Sequence, residues 1–189
     1  MRLFVAVPIP SHPELERAYQ EIRSGFKTIR PVDPKKQHIT LKFIGDPGTS
    51  VAEVVDALKG VGCGSGKFDC QVQGFGAFPD WRRPSVLWLS LSNNEAFTSL
   101  ASAIDARTSE RLKISPEKRP FIAHITLGRV KEARGIDLQN LKDLLGTTVE
   151  GLKSSAYVVQ VDGLLLMNSD LAPSGPEYTV IERFPLSEH

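Results

Sequence analysis

The chain of 189 residues has little cysteine, almost no net charge and no long apolar run. Its two cysteines, Cys63 and Cys70, are too few for a disulfide framework or a zinc finger, so we expect free thiols. A net charge of +1 argues against a large DNA-binding surface. No stretch approaches the roughly 20 apolar residues that span a bilayer, and the apolar run at residues 3–7 is too short for a signal peptide. We therefore expect a cytoplasmic protein that contacts no membrane.

Histidine is also scarce, yet two of the four histidines occur in the same tetrapeptide, His-Ile-Thr-Leu, at residues 38–41 and 124–127. The two copies are about half a chain apart, which favours two similar α+β lobes within one domain, residues 1–189, over a many-unit repeat. Basic residues surround both copies, a pattern that fits a small anionic ligand as well as a solvated basic face. They are Lys27, Arg30, Lys35, Lys36 and Lys42 around the first copy, and Lys113, Lys118, Arg119, Arg129, Lys131 and Arg134 around the second.

Hydrophobic periodicity and turn residues predict interspersed strands and helices in both halves. The predicted strands span residues 3–7, 38–44, 68–75, 86–91, 121–130, 157–167 and 178–184. Three helices are predicted to begin at capping boxes, Ser11-x-x-Glu14, Ser50-x-x-Glu53 and Ser92-x-x-Glu95. A fourth is predicted from Asp137 to Leu145, ended by Gly146. The glycine-rich segment 60–67 lacks the spacing of a phosphate-binding loop, so a flexible connection is predicted there.

Side chains two apart in a strand point to the same face. His38 and Thr40 therefore share one face, while Ile39, Leu41 and Phe43 share the other, and the second copy repeats the pattern. Two imidazoles and two hydroxyls facing one cleft suit in-line displacement at phosphorus. One histidine removes a proton from the attacking oxygen, the other protonates the leaving oxygen, and the threonines donate to the phosphoryl oxygens. Neither a metal nor another cofactor is required, and the residues do not say which histidine is the acid.

Three other interpretations of the motifs remain open. Each histidine, taken alone, is more typical of a structural residue, and threonine is common in strands. The same donors would also suit a nucleotide- or RNA-end-binding protein with little or no turnover. A zinc site formed by His38, His124 and a cysteine is a weaker possibility, because threonine two residues after each histidine is a poor metal ligand.

Two His-x-Thr motifs half a chain apart resemble the 2H phosphoesterase superfamily. The flanking residues are closest to its RNA 2′,3′-cyclic phosphodiesterase branch, also called the 2′-5′ RNA ligase family. The stretches that carry the resemblance are Arg2 to Ala6, His38 to Gly45, Pro84 to Leu89 and Arg119 to Val130. The resemblance implies a bilobal α+β fold with mainly antiparallel sheet, helices on the outside and a central cleft on a pseudo-two-fold axis. It also implies metal-independent hydrolysis of RNA 2′,3′-cyclic phosphate ends, or of cyclic nucleotides, to 2′-phosphomonoesters, with reverse 2′-5′ ligation.

By the same resemblance, His38 and His124 are catalytic, Thr40 and Thr126 bind the phosphate, and Arg129 is a further phosphate contact. Phe4 is a candidate for base binding, although core packing explains it better. Simple alternation places Arg129 on the face of Ile125 and Leu127, away from the cleft, so its role requires a bulge or twist near Gly128. The loop Trp81-Arg82-Arg83 is a candidate for holding RNA, and no role is assigned to His12 or His189. We further expect a monomer.

Overall fold

The computed structural model describes residues 1–173 and 175–187, and within them nine strands and four α-helices form an α+β fold. His189 lies outside the described residues. The strands are β1 Leu3–Pro8, β2 Ile29–Pro31, β3 His38–Gly45, β4 Phe68–Phe78, β5 Val86–Leu91, β6 His124–Val130, β7 Val158–Val161, β8 Gly163–Ala172 and β9 Gly175–Pro185. The helices are α1 Pro13–Gly25, α2 Val51–Leu58, α3 Asn94–Leu112 and α4 Leu138–Ser154. Short 3₁₀ helices occur at Pro34–Lys36 and Val61–Gly64.

The strands pair antiparallel in the order β7-β4-β5-β6-β3-β1-β8-β9, and β2 also pairs with β6. The sheet curls into a half-barrel. The two motif strands, β3 and β6, are neighbours at its centre, with three more strands of the ordered path beyond each of them. The predicted α+β fold with antiparallel sheet is therefore confirmed, whereas the pseudo-two-fold relation between the lobes stays a prediction.

The core lies between the sheet and the helices, which pack in two pairs, α1 with α4 and α2 with α3. Ile39 and Ile125, from the two motifs, are fully buried in it, as alternation predicts. Helix α1 contributes the buried residues Leu15, Ala18 and Ile22 to it. Among the described residues, the helices are all too short or too polar to cross a membrane.

Two of the three predicted capping boxes are wrong. His12, not Ser11, caps α1, because its Nδ1 accepts from the Glu14 backbone N–H at 3.2 Å and Pro13 begins the helix. The hydroxyl of Ser92 accepts from the Gln71 N–H at 2.9 Å on the neighbouring strand, so α3 begins one residue later, after Asn93. The third box, at Ser50 and Glu53, is confirmed at α2.

Several predicted element boundaries are also wrong. Helix α4 continues through Gly146 to Ser154, because the buried residues Val149 and Leu152 prolong its apolar stripe and outweigh about 1 kcal/mol of unfavourable glycine propensity. Strand β6 begins at His124 rather than at residue 121. The segment 157–167 forms two strands, since the chain leaves β4 after Val161 and joins β1 and β9 from Gly163 onward.

The glycine-rich segment 60–67 is a connection, as predicted, and contains the short helix Val61–Gly64. A Cβ at Gly62 would lie 2.5 Å from the carbonyl oxygen of Pro185. Glycine is therefore required there because two backbones approach closely.

Candidate active site

The two motifs meet where β3 and β6 pair through Ile39 and Ile125. Because the strands are antiparallel, His38 lies toward Thr126, and Thr40 lies toward His124. All four of these polar residues are half-buried, while the isoleucines between them are fully buried. The structure thus brings the two imidazoles and the two hydroxyls together on one face of the sheet centre.

Each motif histidine is held in the same way by the backbone before it. Nδ1 of His38 lies 2.8 Å from the carbonyl oxygen of Lys36, and Nδ1 of His124 lies 2.7 Å from that of Ile122. A carbonyl oxygen can only accept, so Nδ1 carries the proton and donates it. In the neutral ring, Nε2 is then the proton acceptor, and the ring orientation is fixed. Both imidazoles are therefore prepared for proton transfer at Nε2.

Aromatic rings hold each imidazole from the side. His38 contacts Phe4 and Tyr178, with ring centroids 5.0 and 5.2 Å apart. His124 lies 5.1 Å from Phe78, edge to face. These contacts restrict rotation of the rings and reduce their access to water.

Burial lowers the pKa of both imidazoles below the ordinary histidine value, and it is the largest cause in each case. The hydrogen bond to the backbone carbonyl acts in the opposite direction and raises each pKa. The guanidinium of Arg129 lowers both pKa values further, and the charge of His124 lowers the pKa of His38. Double protonation of the pair is therefore disfavoured.

A β-bulge directs Arg129 to the cleft. Against β5, Gly128 pairs with Leu87 but Thr126 pairs with the next residue, Trp88, so Leu127 is an extra residue on β6. Leu127 and Gly128 are both buried and Arg129 is exposed, which reverses the simple alternation. The influence of Arg129 on both imidazoles, and on the pKa of Tyr178, places its charge at the cleft. The bulge that its predicted role requires is present, one residue before Gly128.

The first motif contains the same bulge. Against β1, Lys42 pairs with Val5 and Thr40 with Ala6, so Leu41 is the extra residue on β3. The burial of the first six residues is identical in β3 and β6. Phe43 therefore occupies the position that Arg129 occupies in the second motif, five residues after the histidine. The prediction that Phe43 shares the apolar face of Ile39 is wrong, because its side chain is 68% exposed.

The predicted base-binding residue Phe4 is only 3% exposed, and its ring packs on His38, Phe43 and Tyr178. Its position is that of a support beneath the imidazole. Tyr178, from β9, is half-buried and contacts both Phe4 and His38 edge-on. Burial raises the pKa of the Tyr178 hydroxyl and the charge of Arg129 acts against it, so the net pKa is raised and the hydroxyl keeps its proton at neutral pH.

Trp88 forms the wall of the site beside His124. Its ring stacks on Phe78 at 4.8 Å and lies 6.1 Å from the imidazole. The indole lies over Gly76 on β4, where a Cβ would be closer than 3.0 Å to three of its ring atoms. Glycine at this position is therefore a condition for the placement of Trp88.

The remaining candidates from the sequence lie elsewhere. Burial raises the pKa of the Cys70 thiol to about 12, and Cys63 lies in the connection before β4. Within residues 1–173 and 175–187, there is no group of three or more histidine, cysteine or carboxylate side chains that could hold a metal ion. Trp81 packs edge-on against Phe75 and carries the ammonium of Lys142 over its ring at 5.0 Å, so this loop aromatic already has partners.

Comparison with known proteins identifies the family. The family described as "LigT like Phosphoesterase" matches residues 7–88 and 90–178. The chain belongs to this family. Its membership confirms the resemblance that the two His-x-Thr motifs carry.

Relatives of this LigT-like phosphoesterase match over nearly the whole chain. An RNA 2′,3′-cyclic phosphodiesterase of Methanothermobacter thermautotrophicus is 31% identical over 189 residues, covering 98% of this chain and 99% of the relative. One of Thermus thermophilus is 31% identical, covering 100% and 92%. A crystal structure of a Thermus thermophilus protein has a TM-score of 0.77 at 28% identity, covering 100% and 99%. Escherichia coli LigT complexed with 3′-AMP has a TM-score of 0.72 at 21% identity, covering 99% and 98%, and shares the fold.

Sequence reasoning missed four residues of this LigT-like site: Phe43, Phe78, Trp88 as a wall residue, and Tyr178. A signal for Phe43 existed, because it stands at the same distance from its histidine as Arg129 does. Tyr178 is contributed by β9, which sequence places far from either motif. Only the curl of the sheet brings it to His38.

Proposed function

We propose that this protein hydrolyses RNA 2′,3′-cyclic phosphate ends to 2′-phosphomonoesters by two-histidine acid-base catalysis, without a metal ion. The observation that carries the proposal is the matched state of His38 and His124. Each has Nδ1 bound to a backbone carbonyl and Nε2 available as proton acceptor, on adjacent central strands. Relatives named RNA 2′,3′-cyclic phosphodiesterase and a fold shared with a 3′-AMP complex support the substrate class.

The proposed step begins with one neutral and one protonated imidazole. The neutral imidazole takes a proton from water as the water oxygen bonds to phosphorus, and the bond from phosphorus to O3′ breaks. The protonated imidazole gives its proton to O3′, and the phosphate remains on O2′. The protonation states are then exchanged and are reset by proton transfer with solvent. When the 5′-hydroxyl of a second RNA end takes the place of water, the same two proton transfers open the cyclic phosphate at O3′ and form a 2′-5′ linkage.

The other cleft residues stabilise the charge on the phosphoryl group and orient the nucleotide. The hydroxyls of Thr40 and Thr126 donate to the non-bridging oxygens, where charge develops in the transition state. The planar fork of Arg129 binds the same phosphoryl group. Phe43, which is exposed where Phe4 is buried, provides the face on which the base stacks. Attacking and leaving oxygens are both served by imidazole, so the mechanism gives a metal ion no task.

The proposal is tested with 2′,3′-cyclic AMP in the presence of EDTA, with the product identified by ³¹P NMR. We expect a 2′-monophosphate, and a loss of at least about 100-fold in kcat for His38→Ala and for His124→Ala. His12→Asn is the matched control, because asparagine keeps the α1 cap and His12 lies outside the cleft.

Three outcomes would contradict the proposal: a requirement for added metal, a 3′-monophosphate product, or full activity of either alanine variant. A wild-type protein that binds the nucleotide without turning it over would identify a binding protein instead.

A further inference from the structure

We propose that Arg30 forms a second phosphate subsite beside Arg129, which binds the phosphodiester preceding the terminal nucleotide of an RNA strand. This inference rests on the proposed function and deepens it, because it separates an RNA end from a cyclic mononucleotide as substrate. A mononucleotide 2′,3′-cyclic phosphate contains one phosphate, whereas an RNA strand contains one for every linkage.

The register of β2 against β6 places the two arginines side by side. Arg30 pairs with Arg129, between the pairs Ile29–Val130 and Pro31–Gly128. Residues directly opposite in antiparallel strands have side chains on the same face, with Cα atoms about 4.5–5.5 Å apart. Arg129 is on the cleft face because of the bulge at Leu127, so Arg30 leaves the sheet on the cleft face too.

The Arg30 side chain then extends to the beginning of β9. A Cβ at Gly175 would lie 3.1 Å from Arg30 Cζ and closer still to one Nη atom. Lys36 reaches the next residue of β9, where its Nζ donates to the carbonyl oxygen of Pro176 at 3.0 Å. Two residues further along β9, Tyr178 contacts the His38 ring. Two cations thus lie at the mouth of the cleft, next to the arginine assigned to the reacting phosphate.

The reaction at a single cyclic phosphate does not explain this pair of arginines. The cyclic phosphate carries one negative charge, which Arg129 matches. A guanidinium has five N–H donors, so Arg30 can keep its protein contacts and bind a phosphate at the same time. A second phosphate of the same strand accounts for the second arginine.

The experiment compares two substrates and two substitutions. Arg30→Gln is compared with Arg23→Gln, which removes the same charge from the exposed side of α1. Each variant is assayed on 2′,3′-cyclic AMP and on a trinucleotide with a 2′,3′-cyclic phosphate end. For Arg30→Gln we expect kcat/KM to fall about tenfold on the trinucleotide and to stay within about twofold on the mononucleotide. The slope of log(kcat/KM) against log salt for the trinucleotide should decrease by about 0.7.

Binding of the products provides a test that does not depend on turnover. Arg30→Gln should weaken binding of a trinucleotide with a 2′-phosphate end about tenfold and leave adenosine 2′-monophosphate unchanged, while Arg30→Lys should retain most of the preference. Equal losses on the long and the short ligand would overturn the subsite, because Arg30 would then act through its contact with the beginning of β9. No loss on either ligand would overturn it too. A failure of the proposed function would show instead as absent turnover in the wild type, with the binding comparison still decisive for Arg30.

Discussion

Replacement of Gly76 by alanine should damage catalysis from a position that touches no substrate. The new Cβ would lie 2.6 and 2.8 Å from two atoms of the Trp88 ring and closer to a third. The ring cannot simply retreat, because Phe78 stacks on it at 4.8 Å. Overpacking of this kind costs about 1–3 kcal/mol. For a chain of this size, each kcal/mol lowers Tm by roughly 2–4 °C.

The expected loss of activity follows from the contacts of Trp88 and Phe78 with His124. Trp88 and Phe78 lie 6.1 and 5.1 Å from the His124 ring, so a shifted indole displaces the imidazole. A displacement of about 1 Å at a catalytic group costs on the order of 100-fold, so even a few tenths should reduce kcat about tenfold. The assay is steady-state hydrolysis of 2′,3′-cyclic AMP, together with thermal unfolding.

Gly74→Ala is the control on the same strand, since its Cβ would meet only the small hydroxyl of Ser90 at 3.3 Å. It should leave kcat within about twofold of the wild type. Trp88→Leu provides a second comparison, because it removes the indole ring with which the new Cβ at position 76 would clash. If Gly76→Ala is as harmful in the Trp88→Leu background as in the wild type, or harmless in both, the reasoning is refuted.

Three further predictions concern charge and recognition. Arg129→Gln should reduce kcat/KM at least about tenfold. It should also shift the pH profile of kcat/KM to higher pH, because it removes a charge that lowers the pKa of both imidazoles. Arg129→Lys keeps the charge but not the planar fork, so it should lose activity without that shift. Lys42→Met should lower the free energy of unfolding by about 1–3 kcal/mol, measured by urea titration, because it removes the cation paired with the partly buried Asp105 carboxylate, which then keeps the bonds from the Glu117 backbone N–H. Adding Asp105→Asn should restore part of the loss. Phe43→Ala should raise KM for 2′,3′-cyclic AMP about tenfold and leave a base-free cyclic phosphate unaffected, whereas an equal effect on both would exclude stacking.

The sequence predicts the central strands well and their irregularities poorly. Alternation correctly places Ile39 and Ile125 in the core, because a period of two holds as long as strands pair in register. It fails after Leu41 and Leu127, where an extra residue reverses the faces. Gly128 beside Leu127 marks a place where a strand can bulge, but Leu41 has no such neighbour, and each bulge is created by the pairing with β5 or β1. The need for a bulge could be predicted from the sequence only at Arg129, because a phosphate-binding role conflicted with the face of the strand on which alternation places it.

The helix boundaries show a similar division between local and tertiary causes. Ser50 and Glu53 form the predicted cap because their partners are all local. Ser92 has the same sequence pattern, but its hydroxyl is bonded to Gln71 on another strand. Gly146 lies inside α4 because apolar residues beyond it pack on the core. The position of Tyr178 beside His38 could not be predicted from the sequence either, because it depends on the curvature of the whole sheet.

The two matched bulges bear on the orientation of a bound nucleotide, and through it on which histidine acts as the acid. The histidines are fixed alike, by equal backbone contacts, and nothing in those contacts distinguishes an acid from a base. The same bulge delivers an aromatic ring on one side and a guanidinium on the other. A nucleotide whose base stacks on Phe43 and whose phosphate binds Arg129 can lie in the cleft in one orientation only. The roles of two equivalent imidazoles are then decided by which oxygen the bound nucleotide turns toward each of them.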